Sequence, residues 1–226
     1  MSDLITLQQK MVSCRLCLDA GHQIIPGAVF RGRTTAQLLL IGQAPGVTEV
    51  EAKRPFNAGS GRRLFQWLGA AGWDEQTFRD THYMTAVTKC YPGKHPNGKG
   101  DRVPSKPEQQ LCRPYLDQEI SLVNPRLILL VGKLAIQLFY PKSAKLVDMI
   151  GTAAYFSPDT LAKNPLNFDL KQAERTTYFR GETEGRYIVP LPHPSGASLW
   201  PNKPENKALI KQATNMLYEI REAWSL

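Results

Sequence analysis

What the chain lacks narrows its possible roles first. No apolar run approaches the ~18 residues that a membrane-crossing helix needs. The opening segment MSDLITLQQKMVSC has no basic stretch followed by an apolar one. Neither a membrane span nor a secretion signal is therefore expected. No internal repeat, low-complexity tract or linker composition interrupts the 226 residues, so one domain over 1–226 is the expectation. Cysteine is scarce, with four in all. In a chain without an export signal, so few thiols speak for a metal or cluster site rather than two disulfides. Acidic residues are the minority, 20 Asp and Glu against 28 Lys and Arg, which leaves a net charge of +8. That excess points to an anionic partner, nucleic acid first, against the plainer reading of a basic surface kept for solubility. Hydrophobic residues make up 42% and charged residues 21% of the chain, a globular balance that excludes global disorder.

Four segments are too continuously apolar to be half exposed, or are bounded as strands are: residues 37–41, 83–89, 126–131 and 186–191. Between them the spacing predicts helices. Leu4, Leu7 and Met11 share one face. Leu64, Phe65 and Leu68 give residues 62–71 an inward stripe. Ser105 and Glu108 form a capping box ahead of Leu111, Tyr115, Leu116 and Ile120. Helices are also expected over 133–139 and, with Pro204 in its first turn, from Leu209 to Trp224. Residues 141–185 read as a long surface excursion. Strands alternating with helices predict an α/β fold with a mainly parallel central sheet of about four strands. Ligands of such sheets sit beyond the carboxyl ends of the strands. Three distinctive segments fall there, at 42–46, 89–93 and 193–198. Each alone passes for a tight turn; together they mark a site.

Six motifs in order then become recognisable: CRLC at 14–17, IGQAPG at 41–46, RPFNAGSGRRL at 54–64, YMTAVTKCYP at 83–92, NPRLILLVGKLA at 124–135 and LPHPSGAS at 191–198. The chain resembles the iron–sulfur uracil-DNA glycosylases, the family 4 branch of that superfamily, over roughly residues 8–222. The resemblance implies a three-layer α/β/α sandwich and a [4Fe–4S] cluster. It also implies flipping of a base out of DNA and hydrolysis of its N-glycosidic bond, which leaves an abasic site.

Cys14 and Cys17 have the C-x2-C spacing that lets two thiolates reach one metal or cluster, and Cys90 and Cys112 follow after a strand and within a helix. Four cysteines can hold zinc or an iron–sulfur cluster; the resemblance implies the [4Fe–4S] cluster on all four. The gap between the last two is longer than in the family, the extra length lying in HPNGKG. A departing uracil carries negative charge, mostly on O2, so catalysis wants a preorganised donor there. The resemblance gives that role to His193, and the turn Gly42-Gln43-Ala44-Pro45 offers the backbone N–H of Gln43 or its neighbours as a second donor. It makes Phe56 the stacking aromatic and Gly42, Gln43, Ala44 and Ala86 the rest of the base site.

The chain also departs from the pattern. Gln43 replaces the usual Glu. Ala44 leaves no carboxylate where the family 1 enzymes carry a water-activating Asp. Ala86 stands where an Asn reads the uracil edge. For DNA contacts, Ser60, Gly61 and Arg62 resemble a phosphate seat at a helix start. Ser195 and Ser198 suit phosphate pinching, and Leu199 or Trp200 suits a wedge into the base stack. Lys89, Lys94, Lys99, Arg102 and Lys106 supply positive charge near the cluster loop. His22, His82 and His95 have no assigned role. The expectation is a monomeric, monofunctional DNA glycosylase of the cytoplasm, associated with the nucleoid. It would act on uracil or another deaminated base, with water as the final nucleophile and no Schiff-base step. The alternative, kept open by Ala86, is a non-catalytic or weakly catalytic iron–sulfur DNA-binding protein of the same fold. A zinc-stabilised nucleic-acid module would follow if the metal were zinc.

Overall fold

The structure, a computed structural model, describes residues 3–98, 100–166, 168–196 and 198–226. The strands are β1 (Leu38–Gly42), β2 (Tyr83–Ala86), β3 (Leu127–Val131), β4 (Ala153–Phe156), β5 (Glu174–Thr176) and β6 (Arg186–Leu191), in the spatial order β2-β1-β3-β6-β4-β5. The four strands expected from the sequence are β2, β1, β3 and β6, and all of them run parallel. The expected count of about four is corrected to six. The segment 141–185 is not merely a surface excursion: it supplies β4 and β5, added antiparallel to the edge at β6. Both are short, and β5 is exposed at Glu174 and Arg175. β5 therefore lacks the continuous apolar run that marks a central strand, and the buried apolar run of β4 is only four residues long.

Alternate residues of the parallel strands point to opposite faces, and each face is covered. Leu39, Ile41, Ile128, Leu130 and Ile188 pack with Leu4, Leu7 and Met11 of helix Asp3–Val12 and with Leu116 and Ile120 of helix Lys106–Val123. On the other face, Leu38, Leu40, Leu129 and Val189 pack with Leu64 and Leu68 of helix Gly59–Ala70 and with Leu217 and Ile220 of helix Pro204–Trp224. The result is the three-layer α/β/α arrangement. The capping box at Ser105 and Glu108 is present, with Glu108 Oε2 accepting the Ser105 N–H at 2.6 Å. No helix among the described residues is long and apolar enough to cross a membrane.

Helices Val47–Ala52 and Glu75–Thr81 go beyond the expected set. The second starts on Asp74, whose side chain accepts the Thr77 N–H at 2.8 Å, and ends at His82. His82 is 4% exposed, edge-on to Phe78 and Trp73. Neither ring nitrogen has a hydrogen-bond partner among the described residues. Burial pushes its pKa down to about 4. The folded state thus binds a proton less readily than the unfolded chain, whose histidines titrate near ~6.5. The stability this group contributes is complete above that value and is lost as pH falls towards 4. Going from pH 7 to pH 5 should cost about 2 kcal/mol through His82. Denaturant unfolding at both pH values checks this, because His82→Phe should show a pH dependence smaller by that amount.

Candidate active site and cysteine pocket

The carboxyl ends of β1, β2 and β6 open onto a cleft of about 510 Å³, within the range of pockets that enclose small ligands. Register sets its floor: Gly42 pairs with Ala86, so the last residues of β1 and β2 lie level. Gln43, Ala44, Phe56, Ser60, Ala86, His193 and Ser195 all line this cleft, from four separate stretches of chain.

Phe56 is held there against its own backbone preference. Its φ is +51°, a left-handed value that costs a non-glycine residue roughly 1 kcal/mol or more. Three neighbours impose it. Arg79, 2% exposed, donates from Nη1 to the Pro55 carbonyl at 2.7 Å and from Nη2 to the Phe56 carbonyl at 2.9 Å. Gly61 lies directly beneath that carbonyl, where a Cβ would meet the Phe56 oxygen at 1.9 Å. The ring edge rests over Gly42, where a Cβ would come within 2.8 Å of Phe56 Cζ. Arg79 escapes sequence reading because an arginine on a short helix carries no burial signal; the Asp74–Thr77 cap is the one local sign of that helix.

His193 faces the same cleft from the loop after β6. Its Nδ1 accepts the Ser195 N–H at 3.2 Å, which leaves the ring proton of the neutral tautomer on Nε2. Burial lowers its pKa and so favours that neutral form. The ring packs on Gly132 at the end of β3. There φ is +89°, and a Cβ would approach His193 Cδ2 to 2.9 Å. A side chain at 132 would push the imidazole from its place.

The DNA-contact residues expected from the sequence divide. Helix Gly59–Ala70 begins three residues earlier than expected, so Ser60 and Gly61 lie inside its first turn, and no side chain caps it. Arg62 is exposed, whereas Gly61 is buried under Phe56. Ser198 donates its N–H to the Ser195 carbonyl at 3.1 Å. Leu199 is 75% exposed, while Trp200 is half-buried and its carbonyl accepts from Asn206 at 2.8 Å. Lys89 is corrected: it is not a surface charge. It is 2% exposed, with Nζ 2.6 Å from Glu119 Oε2, 2.9 Å from Thr85 Oγ1 and 2.6 Å from the Ala86 carbonyl. Arg102 makes a two-pronged pair with Glu108 at 2.5 and 2.7 Å, and its guanidinium holds the Glu108 carboxyl down at about 2. Lys94 and Lys106 are exposed, and Lys99 lies outside the described residues.

Cys14, Cys17, Cys90 and Cys112 line one separate pocket, together with Met11, Ile24, Leu111 and Tyr115. All four are free thiols. Burial first, then the other three sulfurs and Glu108, push Cys17 up to about 11; burial does the same to Cys90. Among the described residues no three His, Cys, Asp or Glu side chains converge on a single ion position. The Lys89 N–H donates to Cys112 Sγ at 3.3 Å, so one residue touches this pocket with its backbone and the cleft floor with its side chain.

Comparison with known proteins agrees with this fold. A family model described as the Uracil DNA glycosylase superfamily matches residues 30–217, and the chain belongs to that superfamily. It is similar to three proteins named Type-4 uracil-DNA glycosylase. Identity is 30% over 63% of this chain for that of Sulfurisphaera tokodaii, 32% over 66% for Pyrobaculum aerophilum and 29% over 62% for Archaeoglobus fulgidus. The matched segments span 60%, 72% and 65% of those proteins.

Proposed function

We propose that this chain is a monofunctional DNA glycosylase that flips uracil or another deaminated base into the 510 Å³ cleft and hydrolyses its N-glycosidic bond. The observation that carries the reading is His193. With Nδ1 occupied by Ser195, its Nε2–H is a neutral donor facing a cleft that already holds a stacking ring. As the bond from the sugar to the base nitrogen breaks, its electron pair moves into the base and charge gathers on O2. A fixed donor gains strength there without reorganising. Phe56 stacks on the base face, and Gln43 presents its amide beside it. Free backbone N–H groups at the uncapped start of helix Gly59–Ala70, with Ser60 and Arg62, suit a phosphate of the flipped nucleotide. Ser195 and Ser198 suit the next phosphate. Exposed Leu199 is the better of the two wedge candidates to fill the vacated stack.

Cys14, Cys17, Cys90 and Cys112 would hold a [4Fe–4S] cluster. A cubane takes four thiolates, each on a different iron, and these four cysteines line one pocket. Such a cluster would cross-link the N-terminal segment to the loop after β2 and to helix Lys106–Val123. Lys89 carries that link to the floor of the cleft through the Ala86 carbonyl. The purified protein should be brown and contain iron and sulfide; a colourless protein with one bound zinc overturns the cluster assignment.

Base choice follows from Ala86, which offers the base edge a methyl group and no hydrogen bond. An unread polar edge costs about 1–3 kcal/mol. Ala86→Asn should therefore raise uracil excision selectively, by about tenfold or more, over excision of hypoxanthine or xanthine from the same DNA. An equal effect on all three bases would show that residue 86 does not read the edge.

A further inference from the structure

Hydrolysis needs more than a donor to the leaving base. A water must add to the sugar carbon, and something must take its proton. Ala44, in the loop after β1, offers no carboxylate for that task. The acidic residues that line the cleft are Glu49 and Asp101. Glu49 is engaged: its Oε2 accepts the Gly46 N–H at 2.9 Å and the Thr48 hydroxyl at 3.3 Å, closing the first turn of helix Val47–Ala52. Asp101 is placed differently. The hydroxyl of buried Tyr91 donates to its Oδ1 at 2.8 Å and fixes the carboxylate by one oxygen. Its Oδ2 faces the 42–46 loop, 3.2 Å from where a Cβ on Gly46 would stand.

Asp101 reaches this position on a small hairpin. It bridges Lys94, and the Arg102 N–H donates to the Gly93 carbonyl at 3.0 Å across the same ladder. The residue is exposed, where bulk water has access before DNA closes the mouth. We propose that Asp101 is the catalytic base of this glycosylase, a reading that rests on the cleft being the excision site. The C–N bond to the base breaks, and its electron pair leaves with the base anion held by His193. Water oxygen bonds to the resulting sugar cation while Asp101 Oδ2 takes the water proton. That proton then passes through solvent to the base anion, so the products are the free base and an abasic sugar, and the carboxylate is restored.

General-base contributions of this kind are typically ~10²–10⁴ in rate. In single-turnover base release with the full chain, Asp101→Asn should fall by ~10²-fold or more, with DNA affinity undiminished, since a negative charge has been removed. Tyr91→Phe, which loosens the carboxylate but keeps it, should lose at least about tenfold less, being one neutral hydrogen bond. Adding Ala44→Asp to Asp101→Asn should restore release by about tenfold or more, because a carboxylate from position 44 enters the same cleft. Asp101→Asn within about twofold of the parent (less than the smallest base effect), or a loss matched by Tyr91→Phe, or no recovery with Ala44→Asp, overturns the assignment while leaving the glycosylase reading intact. A parent protein that releases no base removes both.

Discussion

Replacing His193 with alanine is expected to slow single-turnover base excision by ~10²–10³ while leaving DNA affinity nearly unchanged. The split follows from when the donor acts. In the bound ground state the base carries little charge on O2, and one neutral hydrogen bond contributes only about 1 kcal/mol. In the transition state the same donor faces an anion in a site closed by Phe56 and the DNA itself. His193→Gln keeps an N–H on a side chain of different reach, and it should recover part of the rate if the donor is what matters. Equal losses in affinity and rate would instead mean that His193 shapes the loop after β6.

The second large effect lies outside the expected site residues. Arg79→Met should destabilise the protein by about 3 kcal/mol, because it leaves the buried Pro55 carbonyl and the half-buried Phe56 carbonyl without a donor. It also removes the guanidinium that packs over the Phe65 ring at 4.3 Å. The same change releases Phe56 from its left-handed backbone. Excision should fall by about 10²-fold even where the variant is fully folded, as misplacement of a positioning group by an ångström can cause. Glu75→Gln is the control. Its partner Arg79 keeps both carbonyl bonds, and Glu75 is half exposed, so the lost ion pair is worth less than about 1 kcal/mol. Denaturant unfolding and base release, measured on both variants, separate the clamp from the ion pair.

These two predictions differ in how far sequence alone could reach them. His193 was legible because prolines on either side and its place after an apolar strand put it at the carboxyl edge of a parallel sheet. The four central strands were legible for the same reason, since burial on both faces leaves a run such as Leu38 to Ile41 without polar interruption. Strand β5 was not, because a short edge strand with exposed Glu174 and Arg175 has the composition of a loop, and β4, though buried throughout, is a run of only four residues. Lys89 misled in the opposite direction: a lysine beside a basic loop reads as surface charge. Only the fold reveals Glu119 reaching down from helix Lys106–Val123 to neutralise it. Arg79, Asp101 and Gly132 act through neighbours distant in the chain, so no local pattern announces them. Phe56 was legible as an aromatic of the site but not as a strained one, because its strain is imposed from residues 61 and 79.

The decisive measurement puts DNA carrying a single deaminated base with the protein in excess. Free base and intact-strand abasic product should be followed in the same reaction as binding, with uracil, hypoxanthine and xanthine as substrates. On the glycosylase reading, at least one of these bases is released in a one-to-one yield with abasic sites, the strand stays uncut until alkali is added, and His193→Ala binds the same DNA but releases its base ~10²–10³ times more slowly. Tight binding of all three DNAs with every base still attached would contradict it, and would make the cleft a reader of damaged DNA rather than a catalyst.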